Sequence, residues 1–358
     1  MNLRIKPFVE YFWQNGYIYY FRLPGISIRI KDESKFIYET SLLLNGDCPA
    51  DSIAEIVSTK HSVSTNDVHN LISLLDKNLL LESYDATHKR EQSRYDKNIE
   101  FFGSFCHLNQ NKFDIQHKLY QQEIAILGLG GVGSNLLINL ACLGFTNFVI
   151  VDFDKVELSN LNRQILYNYE DIGTLKATAA KKRITQKFPD LNIVEHHSQI
   201  NCSEDIKNLV NGADILISAI DTPREKILDY VNTACIESKI PYICGGVDSR
   251  WATLFSVLPG ISGCLECWKS QIVDSFKFND ILSNSTFQSA IAPNVAIMPM
   301  ISIVAGLMSN EVIKILTNIS TCKIGELIAY DFESSSMKTV EKWGRVKTCG
   351  VCGYLNGL

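Results

Sequence analysis

Hydrophobic and polar positions divide the chain into two parts with different patterns. From Glu123 onward, continuous apolar runs alternate with longer amphipathic segments. The runs are typical of strands in a sheet covered on both faces, and the segments between them are typical of helices. The predicted strands are EIAIL, FVIVD, NIVEH, ADILISAID and PYICGG, and the predicted helices are SNLLINLACLG, 175–188 and 224–238. This alternation predicts a doubly wound, mostly parallel α/β domain over residues 121–358.

Residues 1–88 have the pattern of a separate, smaller domain. Two short strands, YIYYFR and ISIRI, are followed by helical patterns over 35–44, after Asp51 and after Ser64. A further strand is predicted at 79–83. Strands combined with three short helices are typical of a winged-helix module. Residues 89–120 are predicted to be a polar connector between the two domains.

Charge argues against DNA as the partner of this winged-helix-like domain. Residues 1–88 carry eight Lys and Arg against eleven Asp and Glu, and the whole chain has a formal net charge of -5. Such a surface is a poor match to a phosphate backbone, so no nucleic-acid partner is expected. We expect the domain to bind an extended peptide that adds as a strand to a sheet edge. A module that only supports the larger domain is the alternative.

The longest apolar stretch, residues 298–316, does not read as a membrane span. Ser302, Asn310, Glu311 and Lys314 interrupt it, which favours a buried amphipathic helix. The N-terminal residues lack the pattern of a signal peptide, and eleven cysteines without an export signal fit a reducing compartment. We therefore expect a cytoplasmic protein with no membrane partner.

A glycine-rich turn, GLGGVG, lies between the EIAIL strand and the next helix. Its residues Gly128, Gly130, Gly131 and Gly133 let the backbone approach a phosphate at a helix N-terminus. The same spacing occurs in NAD and FAD enzymes and in plain strand–helix packing. Asp152 ends the second strand, where a carboxylate accepts hydrogen bonds from ribose hydroxyls of either NAD or ATP.

Cations after the second strand favour ATP over NAD. The segment DFDKVELSNLNRQ contains these candidate nucleotide-binding residues: Asp152, Asp154, Asn160, Arg163 and Gln164; Lys176 follows. Hydride transfer does not need cations at this place, whereas nucleotidyl transfer needs them to neutralise phosphate charge. Asp221 ends a later strand and is positioned to hold Mg²⁺.

Four cysteines form two Cys-x-x-Cys pairs, Cys264/Cys267 and Cys349/Cys352. Two such pairs predict a closed, four-thiolate zinc site, and a redox disulfide at one pair is the alternative. The zinc would fix the C-terminal tail and stabilise the fold rather than take part in catalysis. Most other cysteines, such as Cys142, stand in apolar strings and are predicted to be small core residues.

Taken together, GLGGVG, DFDKVELSNLNRQ, Lys176, SAID and the cysteine pairs resemble the ubiquitin-activating-enzyme-like (ThiF-type) adenylating superfamily, over residues 90–355. The resemblance implies a homodimer in which Asp152 binds ribose, Asn160, Arg163 and Lys176 contact the phosphates, and Asp221 holds Mg²⁺. It implies attack of a carboxylate on the α-phosphate of ATP, which gives an acyl-adenylate and pyrophosphate.

One family motif differs in this sequence. The family pattern Arg-Tyr-x-Arg supplies an arginine from the second subunit, and RYDK here provides Arg94 and Lys97. Lysine neutralises phosphate charge but lacks the two-pronged guanidinium fork. Either Lys97 acts in trans, or Arg94 has taken over, or the step is slower.

The fate of the acyl group separates subgroups of this superfamily. Ubiquitin-type activators pass it to a cysteine after the first zinc pair, but no cysteine stands between Cys267 and Cys322. Residues 268–293 are instead predicted to be a mobile loop over the active site. With the N-terminal domain, the layout resembles microcin C-type enzymes, with the pantocin maturation enzyme as a related possibility.

The microcin C-type resemblance implies adenylation of a carboxylate on a ribosomally made precursor peptide, in peptide antibiotic biosynthesis. The alternative is activation of a ubiquitin-like sulfur-carrier protein, which would need no peptide-binding domain. An inactive binding module and an NAD oxidoreductase are the remaining alternatives from other classes of protein.

Overall fold

The computed structural model describes residues 1–22, 26–84, 93–223, 226–273 and 295–355. The chain separates into two compact units, Met1–Gln116 and His117–Leu358. Each unit has its own hydrophobic core. The predicted connector contains two helices, so much of it is regular structure that belongs to the first unit.

The first unit combines two small antiparallel sheets with helices. One sheet has the order β5-β1-β6 and the other has the order β2-β3-β4. The strands are β1 (Asn2–Ile5), β2 (Glu10–Gln14), β3 (Tyr17–Arg22), β4 (Ile26–Lys31), β5 (Asn45–Pro49) and β6 (Leu81–Ser83). The helices are α1 (Phe36–Leu43), α2 (Ala50–His61), α3 (Thr65–Lys77), α4 (Asp96–Gly103) and α5 (Lys112–Gln121), the last crossing the boundary between the units.

Helix α3 shows how the local sequence determines this unit. Ser64 caps it, because the Ser64 hydroxyl accepts a hydrogen bond from the Asp67 amide at 3.1 Å and the Asp67 carboxylate accepts one from the Ser64 amide at 2.9 Å. Its buried side chains are Val68, Leu71, Ile72 and Leu75. The apolar pattern also includes Leu74, but 42% of this residue is exposed because it lies off the buried stripe.

The second unit is built on one eight-stranded sheet with the order β14-β13-β12-β11-β10-β7-β8-β9. Its strands are β7 (Glu123–Leu127), β8 (Asn147–Val151), β9 (Asn192–His196), β10 (Ile215–Ser218), β11 (Tyr242–Asp248), β12 (Trp251–Val257), β13 (Glu326–Asp331) and β14 (Ser336–Lys342). Its helices are α6 (Gly131–Leu143), α7 (Lys176–Lys187), α8 (Ser203–Leu209), α9 (Ile227–Ser238), α10 (Leu265–Val273) and α11 (Met298–Thr317). Strands β11, β10, β7, β8 and β9 pair in parallel, and β12 to β14 add antiparallel to β11. The predicted α/β fold is confirmed.

The strand order reverses beside β7. The chain passes from β7 to β8 and β9 on one side, and then returns to place β10 on the other side of β7. In such sheets a crevice opens at the carboxyl ends of the strands where the order reverses. The crevice here lies at the ends of β7 and β10.

Helix α11 is long and apolar enough by composition to cross a membrane, but 61% of its most apolar window is buried inside the protein. It packs on α6, β11 and β12, as a core helix does. One prediction about the cysteines is wrong: Cys142 is exposed, because it lies on the outer side of α6.

Candidate active site

A cavity of about 650 Å³ opens at the carboxyl ends of the central strands of the second unit. The sequence-predicted site residues that line it are Gly128, Gly130, Gly131, Asp152, Asp154, Asn160, Arg163, Gln164, Lys176 and Asp221. They come from four separate parts of the chain, which the sheet order brings together.

The glycine turn has two residues that a side chain could not replace. Gly128 has φ +85°, and a Cβ there would lie 2.7 Å from the Ala219 carbonyl oxygen of the neighbouring strand end. A Cβ on Gly133 would lie 1.8 Å from the Gly128 carbonyl oxygen. Gly133 therefore brings α6 against the strand and is not among the residues that line the cavity, and its predicted contact with the nucleotide stays a prediction.

The N-terminus of α6 faces the cavity without a side-chain cap. Gly130 is the N-cap residue and, as a glycine, it has no side chain that could cap the helix. The first amides of a helix have no intrahelical partner and attract anions. The turn therefore offers backbone donors to a phosphate.

Asp152 is fixed by the same turn. It is 7% exposed, and its two oxygens accept hydrogen bonds from the Leu129 amide at 2.6 Å and the Asp154 amide at 2.8 Å. Burial raises the pKa of Asp152, while the nearby Lys176 charge and the two amides act in the opposite direction. Each oxygen keeps acceptor capacity for a further donor, such as a ribose hydroxyl.

Lys176 is the first residue of α7, and its side chain is buried at the cavity wall. Its Nζ forms an ion pair with the Asp154 carboxylate at 2.8 Å, and its backbone amide donates to the Asp154 carbonyl at 2.8 Å. This double contact fixes the position of the ammonium group. Asp154 is half exposed, so the pair lies at the edge of the cavity rather than in the core.

Asn160 ends a short 3-10 helix, Leu158–Asn160, and Arg163 and Gln164 follow this helix. The Arg163 guanidinium donates to the Ser159 carbonyl at 2.8 Å, and the Asn160 side-chain oxygen accepts from the Glu157 amide at 3.0 Å. Asn160 thus also has a structural role.

The Gln164 side chain is the polar group in this segment that is still incompletely bonded. It is 3% exposed, and its Oε1 atom has no hydrogen-bond partner among the residues that the structure describes. Its Nε2 atom lies 3.8 Å from where a Cβ on Gly130 would stand, so the amide is beside the glycine turn. A buried polar atom without a partner at this place fits a site made for a polar ligand.

Asp221 follows β10 and is exposed at the cavity wall, where Thr222 donates to its carboxylate at 3.3 Å. An accessible carboxylate close to a phosphate site suits Mg²⁺. Arg94 and Lys97 belong to the first unit and are exposed, and the Arg94 guanidinium lies 4.8 Å from the centre of the Tyr95 ring. Neither lines the cavity of this chain, and their action from a second subunit stays a prediction.

The four predicted zinc ligands come together in the structure. The Sγ separations are 3.9 Å for Cys264–Cys267, 3.7 Å for Cys264–Cys349 and 3.4 Å for Cys267–Cys352. Ligands of a tetrahedral zinc–thiolate site stand about 3.8 Å apart, whereas bonded sulfurs are ~2.05 Å apart. The cluster has the donor set and spacing of a zinc site, and its geometry does not match the disulfide alternative.

Sequence reasoning missed one wall of the cavity. Phe255 in β12, Trp268 in α10 and Trp343 after β14 all line it. These residues are far apart in the sequence and belong to no local motif, so no sequence signal indicated them. Lys155, inside the DFDKVELSNLNRQ segment, also lines the cavity and could have been found there.

Comparisons with known proteins agree with this geometry. The ThiF family model matches residues 95–351. The sulfur carrier protein ThiS adenylyltransferase of Escherichia coli (strain K12) is 30% identical over 251 residues, which cover 70% of this chain and 93% of that protein. SUMO-activating enzyme subunit 2 of Dictyostelium discoideum is 31% identical over 177 residues, 49% of this chain, but the match spans only 26% of that longer protein.

The whole fold also has a solved counterpart. The crystal structure of E. coli MccB with ATP has a TM-score of 0.79 and 23% identity, and the match covers 99% of this chain and 100% of that chain. The family model alone covers more than half of the chain. The chain therefore belongs to the ThiF family, and the prediction of an ATP-dependent adenylating enzyme is confirmed.

Proposed function

We propose that this chain uses Mg·ATP to adenylate a carboxylate of a ribosomally made precursor peptide. The observation that carries the proposal is one cavity that combines an uncapped helix N-terminus, the Asp152 carboxylate and the two cations Arg163 and Lys176. This set is what a nucleotidyl transfer needs, because charge on the phosphates must be neutralised where the bond breaks.

Each residue has a task that its contacts support. Asp152 accepts hydrogen bonds from the ribose, because its oxygens are fixed by two amides and keep further acceptor capacity. The glycine turn and the side chain of Gln164 bind the phosphates. Lys176 leaves or shares its pair with Asp154 to neutralise phosphate charge, and Arg163 supplies a second cation beside it.

The reaction needs no covalent group from the protein. An oxygen of the substrate carboxylate attacks the α-phosphorus of ATP and forms a carbon–oxygen–phosphorus linkage. The bond from the α-phosphorus to the bridging oxygen of the β-phosphate breaks, and pyrophosphate leaves with that electron pair. Asp221 would hold Mg²⁺, which supplies positive charge to the departing phosphates.

We propose a peptide substrate rather than a sulfur-carrier protein because the chain contains the first unit. The family model begins at residue 95, and the ThiS adenylyltransferase is covered almost completely by 70% of this chain. Most of the first unit therefore lies outside the family model. MccB structures that share the fold over 99% of the chain were solved with MccA, which supports an MccA-like peptide as the substrate.

The acyl group is released without a cysteine relay. No cysteine stands between Cys267 and Cys322, where ubiquitin-type activators carry theirs. We therefore propose direct attack on the acyl-adenylate by a nucleophile of the peptide. The enzyme acts as a homodimer in which Lys97 or Arg94 of one subunit reaches the phosphates of the other.

A comparison of acceptors tests this proposal. Pyrophosphate release is measured with Mg·ATP and either the short peptide encoded beside this gene or a carrier protein ending in Gly-Gly. We expect release with the peptide at a rate at least ~100 times that with the carrier, as expected for a site built around one substrate. Release with the carrier alone would replace the peptide proposal by its alternative.

A further inference from the structure

The cavity extends well past the nucleotide-binding residues. The glycine turn, Asp152 and Lys176 line it at the ends of β7, β8 and α7, whereas β11 and β12 line it on the other side of β10. Among the described lining residues that come from β11 and later elements, none is charged. The two ends of the cavity therefore differ in chemistry: one is polar and cationic, and the other is neutral.

Three aromatic rings form the wall of the neutral end. The ring centres of Phe255 and Trp343 are 6.0 Å apart, and those of Trp268 and Trp343 are 5.8 Å apart. Both indole N–H groups are already used, since Trp268 donates to the Glu341 carboxylate and Trp343 donates to the Gly263 carbonyl at 3.1 Å. What this aromatic wall (Phe255, Trp268 and Trp343) offers to a ligand is therefore apolar surface.

Gly246 lies at the neutral end of the cavity, and its backbone conformation does not require a glycine. It is in β11, it is not among the glycines with positive φ, and a Cβ added to it meets no atom of the described residues within 4 Å. Gly246 pairs with Thr253, and Cys244, two residues earlier in β11, pairs with Phe255. Because alternate residues of a strand lie on the same face, all four residues share one face of the sheet. Its neighbour Gly245 differs, because a Cβ there would lie 2.5 Å from the Met308 sulfur.

A glycine that neither the backbone nor the packing requires, in the wall of a cavity, keeps space free for a ligand. This space belongs to the same cavity as the residues proposed to bind the nucleotide, so a substrate group there can continue from the carboxylate that is adenylated. A carboxylate side chain would be desolvated against the negative π faces of the aromatic wall, which is unfavourable. An uncharged one would bury apolar surface there.

We propose that Gly246 and the aromatic wall form the acyl subsite, which receives an uncharged side chain of the substrate next to the carboxylate that is adenylated. The assignment rests on the proposed adenylation of a peptide. It makes Gly246 the residue that sets how large this side chain can be, and the aromatic wall the surface that excludes an anionic one.

Substitutions at Gly246 test the subsite, with Gly306 as the matched control. Gly306 is in α11, and an added Cβ there also meets no atom within 4 Å, but it does not line the cavity. With the synthetic peptide encoded beside this gene, we expect Gly246→Ala and then Gly246→Val to lower kcat/KM for pyrophosphate release progressively, by about tenfold or more for valine. The Kd for ATP and the melting temperature should stay at wild-type values, and Gly306→Ala should match the wild type throughout.

A second peptide provides an independent measurement on the wild-type enzyme. Replacing the side chain next to the activated carboxylate by aspartate should lower kcat/KM by about tenfold or more, because the anion is desolvated against the π faces. Wild-type kcat/KM for Gly246→Val, or for the aspartate peptide, would overturn the acyl subsite while the proposed adenylation stands. Failure of the wild-type enzyme to release pyrophosphate with any peptide would overturn both.

Discussion

At the scale of single residues, the site depends on one lysine held by two carboxylates. Lys176 forms an ion pair with Asp154 and lies close enough to Asp152 to oppose the rise of its pKa. The lysine side chain is 9% exposed, so its charge is only weakly screened by solvent. We therefore expect Lys176 to contribute more to phosphate neutralisation than an exposed cation would.

Replacing Lys176 tests this role. Lys176→Ala should lower kcat for pyrophosphate release by at least ~100-fold, because a positioned charge at the phosphates is lost. Lys187→Ala removes an exposed lysine from the other end of the same helix and should leave kcat unchanged. A kcat within twofold of wild type for Lys176→Ala would contradict the assignment.

A second lysine, in the first unit, has a different environment. Lys6 is 1% exposed, and its Nζ donates to the Cys106 carbonyl at 2.8 Å. Burial, assisted by the nearby Arg22 charge, lowers the pKa of Lys6 to about 8. At neutral pH the folded protein therefore contains a charged group that the unfolded chain solvates better.

The pH dependence of stability follows from this lysine. Between about 8 and the ordinary lysine pKa of 10.5, the unfolded chain binds more protons at this position than the folded chain. The free energy of unfolding should therefore rise with pH, by up to ~3 kcal/mol, and Lys6→Met should lack this rise. Melting temperatures at pH 7 and pH 9 check this prediction. The melting temperature of the wild type relative to that of Lys6→Met should be higher at pH 9 than at pH 7. Lys77→Met replaces an exposed lysine, and its melting temperature should differ from that of the wild type by the same amount at both pH values. If the difference for Lys6→Met were also the same at both pH values, the buried charge would not be the cause.

At the scale of elements, patterns predict best where a strand is buried on both faces. EIAIL matches β7 residue for residue, because a central parallel strand reads as a continuous apolar run. NIVEH also matches β9, although β9 is a partly exposed edge strand with mixed polar and apolar residues. Strands β1, β2 and β5 were missed, since they are short and mix polar with apolar residues. Strands β12 to β14 were missed because they are partly exposed and add to the sheet as antiparallel strands, without the strand–helix alternation of the parallel part.

The residues of the candidate site that belong to motifs in a single stretch of sequence were predictable. The glycine turn and the DFDKVELSNLNRQ segment lie in single stretches, and both line the cavity. The aromatic wall was not predictable, because Phe255, Trp268 and Trp343 meet only through the sheet order and the position of the C-terminal tail. The packing role of Gly133 was not predictable, because the spacing alone does not separate ligand contact from close helix–strand approach.

The cysteine cluster is the element-scale feature that ties the tail to the fold. A Cβ on Gly263 would lie 2.4 Å from the Gly344 carbonyl oxygen, so the loop before Cys264 packs directly on the tail. The Val346 amide donates to the Cys267 sulfur at 3.3 Å, as amides around zinc thiolates do. A zinc ion there would hold both segments together.

Zinc content and stability test the cluster. The purified protein should contain about one zinc per chain, and Cys352→Ser should lose most of it and melt at a clearly lower temperature. Cys142→Ser changes an exposed cysteine elsewhere and should keep both values. A wild-type protein that is folded and essentially free of zinc would contradict the site.

At the scale of the whole molecule, the chain joins a family core to an additional unit. The core carries the nucleotide site, and the ThiF family model covers it from residue 95 to residue 351. The first unit has its own hydrophobic core and two small antiparallel sheets. In our account, the first unit recognises the peptide and the second unit carries out the reaction. This separate recognition unit distinguishes a peptide-modifying enzyme from a carrier-protein activator.

The most direct test of the central claim is pyrophosphate release coupled to the intact mass of the peptide. The protein is incubated with ATP, Mg²⁺ and the synthetic peptide encoded beside its gene, and samples without peptide serve as the reference. Our account predicts peptide-dependent release of pyrophosphate in step with a modified peptide, which either gains a nucleotidyl mass or loses one water on ring closure. Pyrophosphate release that does not depend on the peptide, or none at all while the peptide mass stays unchanged, would contradict it.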